Sequence, residues 1–167
     1  MLKTLILARH AKSDWPTGAS DLQRPLKDRG VQDAAFLADM LAAQGLRPDL
    51  IFASPARRAR DTADIFARAL SYPSGIRIEE DIYHGDARAT LEVVHRLPDQ
   101  VDTVMLFGHN PTLEELASTL HGGDLVLPTC GMVCLEAVVG SWQRFSSPAT
   151  ALRWLLVPRL VRRGDED

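Results

Sequence analysis

Three short apolar runs constrain this chain more than anything else in it, because each stops abruptly at residues that carry chemistry. Leu5-Ile6-Leu7-Ala8 ends in Arg9-His10. Leu50-Ile51-Phe52-Ala53 ends in Ser54-Pro55 and the cluster Arg57-Arg58. Val104-Met105-Leu106-Phe107 ends in Gly108-His109-Asn110-Pro111. Short apolar runs bounded by turn residues read as strands buried on both faces. Such strands form parallel sheets covered by helices, and ligands bind there at the carboxyl ends of the strands. The three junctions would then share one sheet edge. Two imidazoles and at least two guanidiniums would meet there, in a basic pocket suited to a phosphate.

The intervening segments agree with that picture. Val31, Ala34, Ala35, Leu37, Ala38 and Leu41 recur near helical period, which predicts a helix over 27–44 closed by Gly45. Ser54 reads as an N-cap and Pro55 as the first position of a helix running to about Leu70. A short strand is expected over 76–79, a helix over 87–97 ended by Pro98, and a helix over 112–120 capped by Asn110. Later strands are expected over 131–139 and 151–157. The alternation predicts one α/β domain over 1–167: a three-layer sandwich, mainly parallel in its central sheet, with helices on both faces. The charged residues 158–167 read as a flexible tail.

The chain has 167 residues and a formal net charge of −3, so one core is affordable and a general nucleic-acid binder is disfavoured. A locally positive pocket is still compatible with that balance. Cys130 and Cys134 are the two cysteines, and they resemble neither a disulfide framework nor a zinc site. That fits a reducing cytoplasm. The apolar start is too short for a signal peptide and is cut off by Arg9-His10, and no run is long enough to span a bilayer. A cytoplasmic location without membrane or nucleic-acid partners is therefore expected.

The junction residues divide the chemistry among them. Arg9 suits a bidentate contact to phosphoryl oxygens. His10 suits a nucleophile that attacks phosphorus through an unprotonated ring nitrogen. Arg57 with Asp61, and Arg60 with Asp64, stand four apart and suit surface pairing, which leaves Arg58 as the second phosphate clamp. His109 suits a hydrogen-bond donor to the transferring group. His84, His95 and His121 lack metal-ligand spacing, so no metal is expected. No cysteine-phosphatase loop, Gly-x-x-x-x-Gly-Lys loop or Gly-x-Ser-x-Gly elbow is present.

These residues resemble the motifs of the histidine phosphatase superfamily, also called phosphoglycerate mutase-like. Arg9-His10-Ala11 stands where the family carries Arg-His-Gly. Ser54, Arg58, Ala59 and Thr62 match Ser-x-x-x-Arg-Ala-x-x-Thr, and Gly108-His109 matches the late Gly-His. Arg24-Pro25-Leu26, Gly30 and Gly108 to Glu114 look most like the small SixA branch of phosphohistidine phosphatases. The resemblance implies a metal- and cofactor-free phosphatase whose His10 is phosphorylated and then hydrolysed, with Arg9, Arg58 and His109 completing the pocket. Arg24 is placed at its rim. Pro16 stands where mutase-type members often carry a phosphate-binding Asn, which counts against mutase activity. A general acid is sought among Glu79, Glu80, Asp81 and Asp86, with Asp81 favoured for standing four before Gly85. The implied substrate is a phosphohistidine-bearing protein. Two rivals stay open: a broad phosphomonoesterase acting on a small phosphate ester, and a non-catalytic phospho-recognition module.

Overall fold

A computed structural model describes residues 1–162 of the chain. Six strands form one sheet: β1 (Leu2–Arg9), β2 (Leu50–Ala53), β3 (Arg77–Ile78), β4 (Thr103–Gly108), β5 (Met132–Val138) and β6 (Thr150–Leu156), in the spatial order β3-β2-β4-β1-β5-β6. The first four run parallel, while β5 is antiparallel to both β1 and β6. The sheet is therefore mixed but mainly parallel, as the alternation of elements predicts.

Period-two alternation sends side chains of each inner strand to two separate cores. Leu5, Leu7, Leu50, Phe52, Val104 and Leu106 enter one of them. There they meet Val93 and Val94 of α4 (Ala87–His95) and Leu113, Leu116 and Leu120 of α5 (Thr112–His121). Ile6, Ala8, Ile51, Ala53, Met105 and Phe107 enter the other. They meet Ala34, Leu37 and Leu41 of α1 (Asp28–Ala43) and Ala63 and Phe66 of α2 (Arg57–Ala69). Phe66 tilts against Phe107 with ring centroids 5.3 Å apart. Truncating such a ring to alanine costs about 3–5 kcal/mol.

The register explains why the chemistry converges. Arg9 pairs with Gly108, and Ala53 with Phe107, so the three strand ends lie level at one edge. Close packing of backbone holds that edge in place. A Cβ on Gly30 would lie 2.2 Å from the Lys12 carbonyl oxygen, so α1 approaches the segment after β1 only because residue 30 is glycine. A Cβ on Gly108 would sit 2.9 Å from Cγ2 of Ile82, which lies on the short helix α3 (Asp81–His84).

Several local expectations give way. Val31 is 44% exposed and Gly30 is buried in its place. The second helix starts two residues later than expected, after Ala56, so Ser54 does not cap it and Pro55 is not its first residue. Pro111 flanks α5, and the Asn110 side chain donates to the Leu127 carbonyl instead of capping. Arg57 pairs with Asp61 at 3.4 Å, but among the described residues no ion pair joins Arg60 to Asp64. In the segment expected as a tail, Pro158–Val161 form a short helix, α6, and Arg162 reaches Asp33 at 2.9 Å. Residues 163–167 of that expectation lie outside the described residues. No helix among the described residues is long and apolar enough to cross a membrane.

Candidate active site

His10 sits one residue beyond β1, and its backbone is fastened on both sides. Its N–H donates to the Gly108 carbonyl at 3.0 Å, and its carbonyl accepts from Cys130 N–H at 3.1 Å. The next N–H, of Ala11, donates to Thr62 Oγ1 at 3.0 Å, and the Thr62 hydroxyl donates to the Arg58 carbonyl at 2.7 Å. Strand β1 and helix α2 are thereby tied together at the site.

The ring of His10 has its tautomer set by its neighbours. Nδ1 lies 2.8 Å from the Ala11 carbonyl, an acceptor, so Nδ1 carries the hydrogen. Nε2 faces Arg58 Nε at 3.3 Å, a group that only donates, so Nε2 keeps its lone pair. Burial leads in pulling the ring pKa down to about 4; the Ala11 bond opposes this, and the charges of Arg58, Arg9 and Arg24 reinforce it. At neutral pH this imidazole is uncharged, with an available lone pair at Nε2.

His109 follows Gly108 at the end of β4, with its ring centroid 5.2 Å from that of His10. Burial again leads, followed by the Arg58 charge, in lowering its pKa to about 3. Its Nε2 lies 2.7 Å from Ser54 Oγ. Arg9 donates through Nη1 to the Leu127 carbonyl at 2.9 Å, the same oxygen that accepts from Asn110 Nδ2 at 2.8 Å. Burial lowers the Arg9 pKa and nearby Glu114 offsets part of this. Three buried side-chain atoms among the described residues find no partner: Arg9 Nε, His109 Nδ1 and Asn110 Oδ1. All three belong to the strand-end junctions of β1 and β4. Buried polar groups are nearly always satisfied, so a cluster of exceptions at one place marks it for an external polar ligand.

Arg9, His10, Arg58 and His109 are thus brought into one cluster. Arg24 lies at its margin, where it donates to Asp14 O, Asp21 Oδ1 and Ser13 Oγ and stacks 4.1 Å over the Trp15 ring. Asp81 stays outside: it pairs with Arg96 at 3.3 Å on an exposed surface. Asp86 is spent as the cap of α4, accepting from Ala89 N–H at 2.9 Å.

The carboxylate that does reach the cluster is Asp21, on a single 3₁₀ turn (Asp21–Gln23). Its Oδ2 accepts from Arg58 Nη2 at 3.1 Å and from Tyr83 Oη at 2.9 Å, and its carbonyl accepts from Arg58 Nη1 at 2.7 Å. Partial burial works against ionisation, but the bonds from Tyr83 and Arg24 and the charge and bond of Arg58 outweigh it and hold the carboxyl at about 2. Asp21 is an anion that orients Arg58, not a proton donor at neutral pH. Neither Asp21 nor Tyr83 stands out in the sequence, since they lie 62 positions apart in segments without periodicity. Cys130 and Cys134 are buried thiols, raised to about 12 chiefly by burial, and serve packing. Among the described residues no group of three or more His, Cys, Asp or Glu is placed to hold a metal.

The chain is similar to several known proteins. Residues 5–102 match the family model described as histidine phosphatase superfamily (branch 1). An uncharacterized protein of Mycobacterium tuberculosis is 32% identical over 162 residues, covering 90% of this chain and 99% of its own. A crystal structure from Agrobacterium tumefaciens, described as a proposed phosphohistidine phosphatase SixA, superposes with a TM-score of 0.79 at 31% identity, covering 93% of this chain and 98% of its own. A structure of the protein histidine phosphatase SixA complexed with tungstate has a TM-score of 0.84 at 20% identity, covering 95% and 99%.

Proposed function

We propose, from the premise that this chain belongs to the histidine phosphatase superfamily (branch 1) and to its SixA-like group, that it is a metal-independent phosphatase acting through a phosphorylated His10, with phosphohistidine-bearing protein as substrate. One observation carries the reading: a buried, neutral imidazole whose Nδ1 hydrogen is committed to Ala11 and whose Nε2 lone pair faces a guanidinium.

In the first step Nε2 attacks phosphorus. The P–N bond to the substrate imidazole breaks as the new P–Nε2 bond forms, and the leaving imidazole is protonated by solvent. The His10 ring gains positive charge, which the Ala11 carbonyl stabilises through Nδ1–H. Arg9 and Arg58 bear on the phosphoryl oxygens, where charge-assisted bonds are strongest. Water then attacks phosphorus, the P–Nε2 bond breaks, phosphate leaves and the lone pair returns to His10. An imidazole is a good leaving group, so a pocket whose one carboxylate is ionised suits a phosphoramidate better than an alkyl phosphate ester.

The test is phosphate release from a phosphohistidine protein and from a small phosphate ester, with chelator present, for the parent chain and His10→Ala. The expected result is faster release from phosphohistidine, lost by roughly three orders of magnitude or more in the variant. Equal or faster ester turnover would make the protein a general phosphomonoesterase. Binding of phosphate ligands without turnover in the parent chain would make it a recognition module.

A further inference from the structure

Ser54 is wholly buried and takes no part in capping α2. Among the described residues its Oγ has two polar neighbours within hydrogen-bond distance: Ala56 N–H at 3.2 Å and His109 Nε2 at 2.7 Å. A backbone N–H only donates, so Oγ accepts from Ala56. The hydroxyl still has one hydrogen to place, and His109 Nε2 is the acceptor that receives it.

We propose that Ser54 is a positioning residue that sets the tautomer of His109, keeping its proton on Nδ1, where the ring presents it to the phosphoryl group transferred to His10. The reverse tautomer fails on two counts. With hydrogen on Nε2, Ser54 Oγ would accept twice and its own buried hydrogen would face no acceptor, at the full desolvation penalty of an unmade bond. Nδ1, the buried ring atom with no protein partner, would then turn a lone pair toward an anion. With hydrogen on Nδ1, every site on both side chains has a use, and the unpartnered atom is a donor. Burial keeps the ring neutral, so the donor is an imidazole N–H and not an imidazolium.

The tautomer follows from the hydrogen bonds alone; only the use of its proton rests on the phosphatase reading. The experiment is therefore read in two ways. Ring-nitrogen NMR of the full chain labelled with 15N-histidine, with His109 assigned by its loss in His109→Gln, reports which nitrogen bears hydrogen. Phosphate release is measured on the same samples. The parent chain is expected to show a protonated Nδ1 and a bare Nε2 at His109. Ser54→Ala is expected to lose that preference and to lower kcat by roughly 10- to 100-fold at nearly constant KM. Ser54→Thr, which keeps the hydroxyl, is expected to restore both. The His10 ring pattern, fixed by Ala11 and Arg58, reports that the site is folded, and if Ser54→Ala disturbs it the Thr variant decides. A bare Nδ1 in the parent chain overturns the proposal, as does a Ser54→Ala protein with unchanged ring pattern or unchanged kcat. Absence of phosphatase activity in the parent chain would overturn the function while leaving the tautomer readout intact.

Discussion

The floor and the rim of the site are built by different physics. The floor consists of the ends of β1, β2 and β4, where sheet register places Arg9, His10, Ser54 and His109, and backbone hydrogen bonds fasten the nucleophile on both sides. The rim is the segment over 13–24, with no strand or α-helix of its own, held by an isolated bridge between Ser13 and Leu26 and by the side chains of Arg24 and Asp21. Its Trp15 is 61% exposed. A site on rigid strand ends keeps reacting atoms in place, whereas a loop rim can change without disturbing them. Arg58 is where the two meet: its Nε reaches His10 and its two terminal nitrogens reach Asp21.

Arg58→Ala should therefore give the largest effect after loss of the nucleophile itself. It removes a phosphate clamp and the link between floor and rim together. Phosphate release should fall roughly 10²- to 10³-fold. A fall of less than about tenfold, measured at saturating substrate, would show that floor and rim act independently.

Acid separates the two regions next. The floor imidazoles have pKa values lowered to about 4 and about 3, chiefly by burial. Between the ordinary histidine value of 6.5 and those values the unfolded chain takes up protons that the folded site refuses. Their stabilising contribution is full above pH 6.5 and is lost as pH falls toward 4 and 3. The rim carboxylate of Asp21 is lowered to about 2, so its contribution persists further and is lost as pH falls from 3.8 through about 2. NMR titration should find His10 uncharged at pH 5.5, and a midpoint near 6.5 would contradict a buried, guanidinium-flanked ring.

Asp21→Asn sharpens the comparison from the rim side. It keeps the shape and weakens the grip on Arg58 and Tyr83, so activity should fall only about 3- to 10-fold, with His10 still phosphorylated. A complete loss of phosphoenzyme, followed by 32P retention, would place Asp21 in the chemistry instead of its support.

The floor was legible in the sequence because its signals are local. An apolar run followed at once by Arg-His or Gly-His locates both the strand and its reactive end, and the order of the motifs points to one sheet edge. Ser54 reads in the sequence as a helix cap and as a motif position, and only the fold shows its hydroxyl turned to His109. The rim was mostly illegible. Arg58 and Asp21 meet across 37 positions, and Tyr83 joins from another segment, so no spacing rule links them. Arg24 was visible only through family resemblance. An acid in the segment after β3 is hard to read from sequence for a related reason, since charged residues near a turn look alike whether they face a pocket or a neighbouring helix.

Asp81→Asn tests that last distinction and should have the smallest effect. Asp81 is about half exposed, at 49%, and its partner Arg96 is 58% exposed, so their 3.3 Å contact is a solvated surface pair. Such pairs contribute from nothing to about 1 kcal/mol and weaken with salt. Stability should shift by less than about 1 kcal/mol, read from urea unfolding at low and high salt. Phosphate release should stay within about twofold, because the loss of a group acting outside the transition state leaves kcat alone. If release from a phosphate ester fell tenfold while release from phosphohistidine held, Asp81 would have to swing from Arg96 to the leaving oxygen during turnover. The segment after β3 would then be part of the working site, and the floor alone would no longer account for ester chemistry.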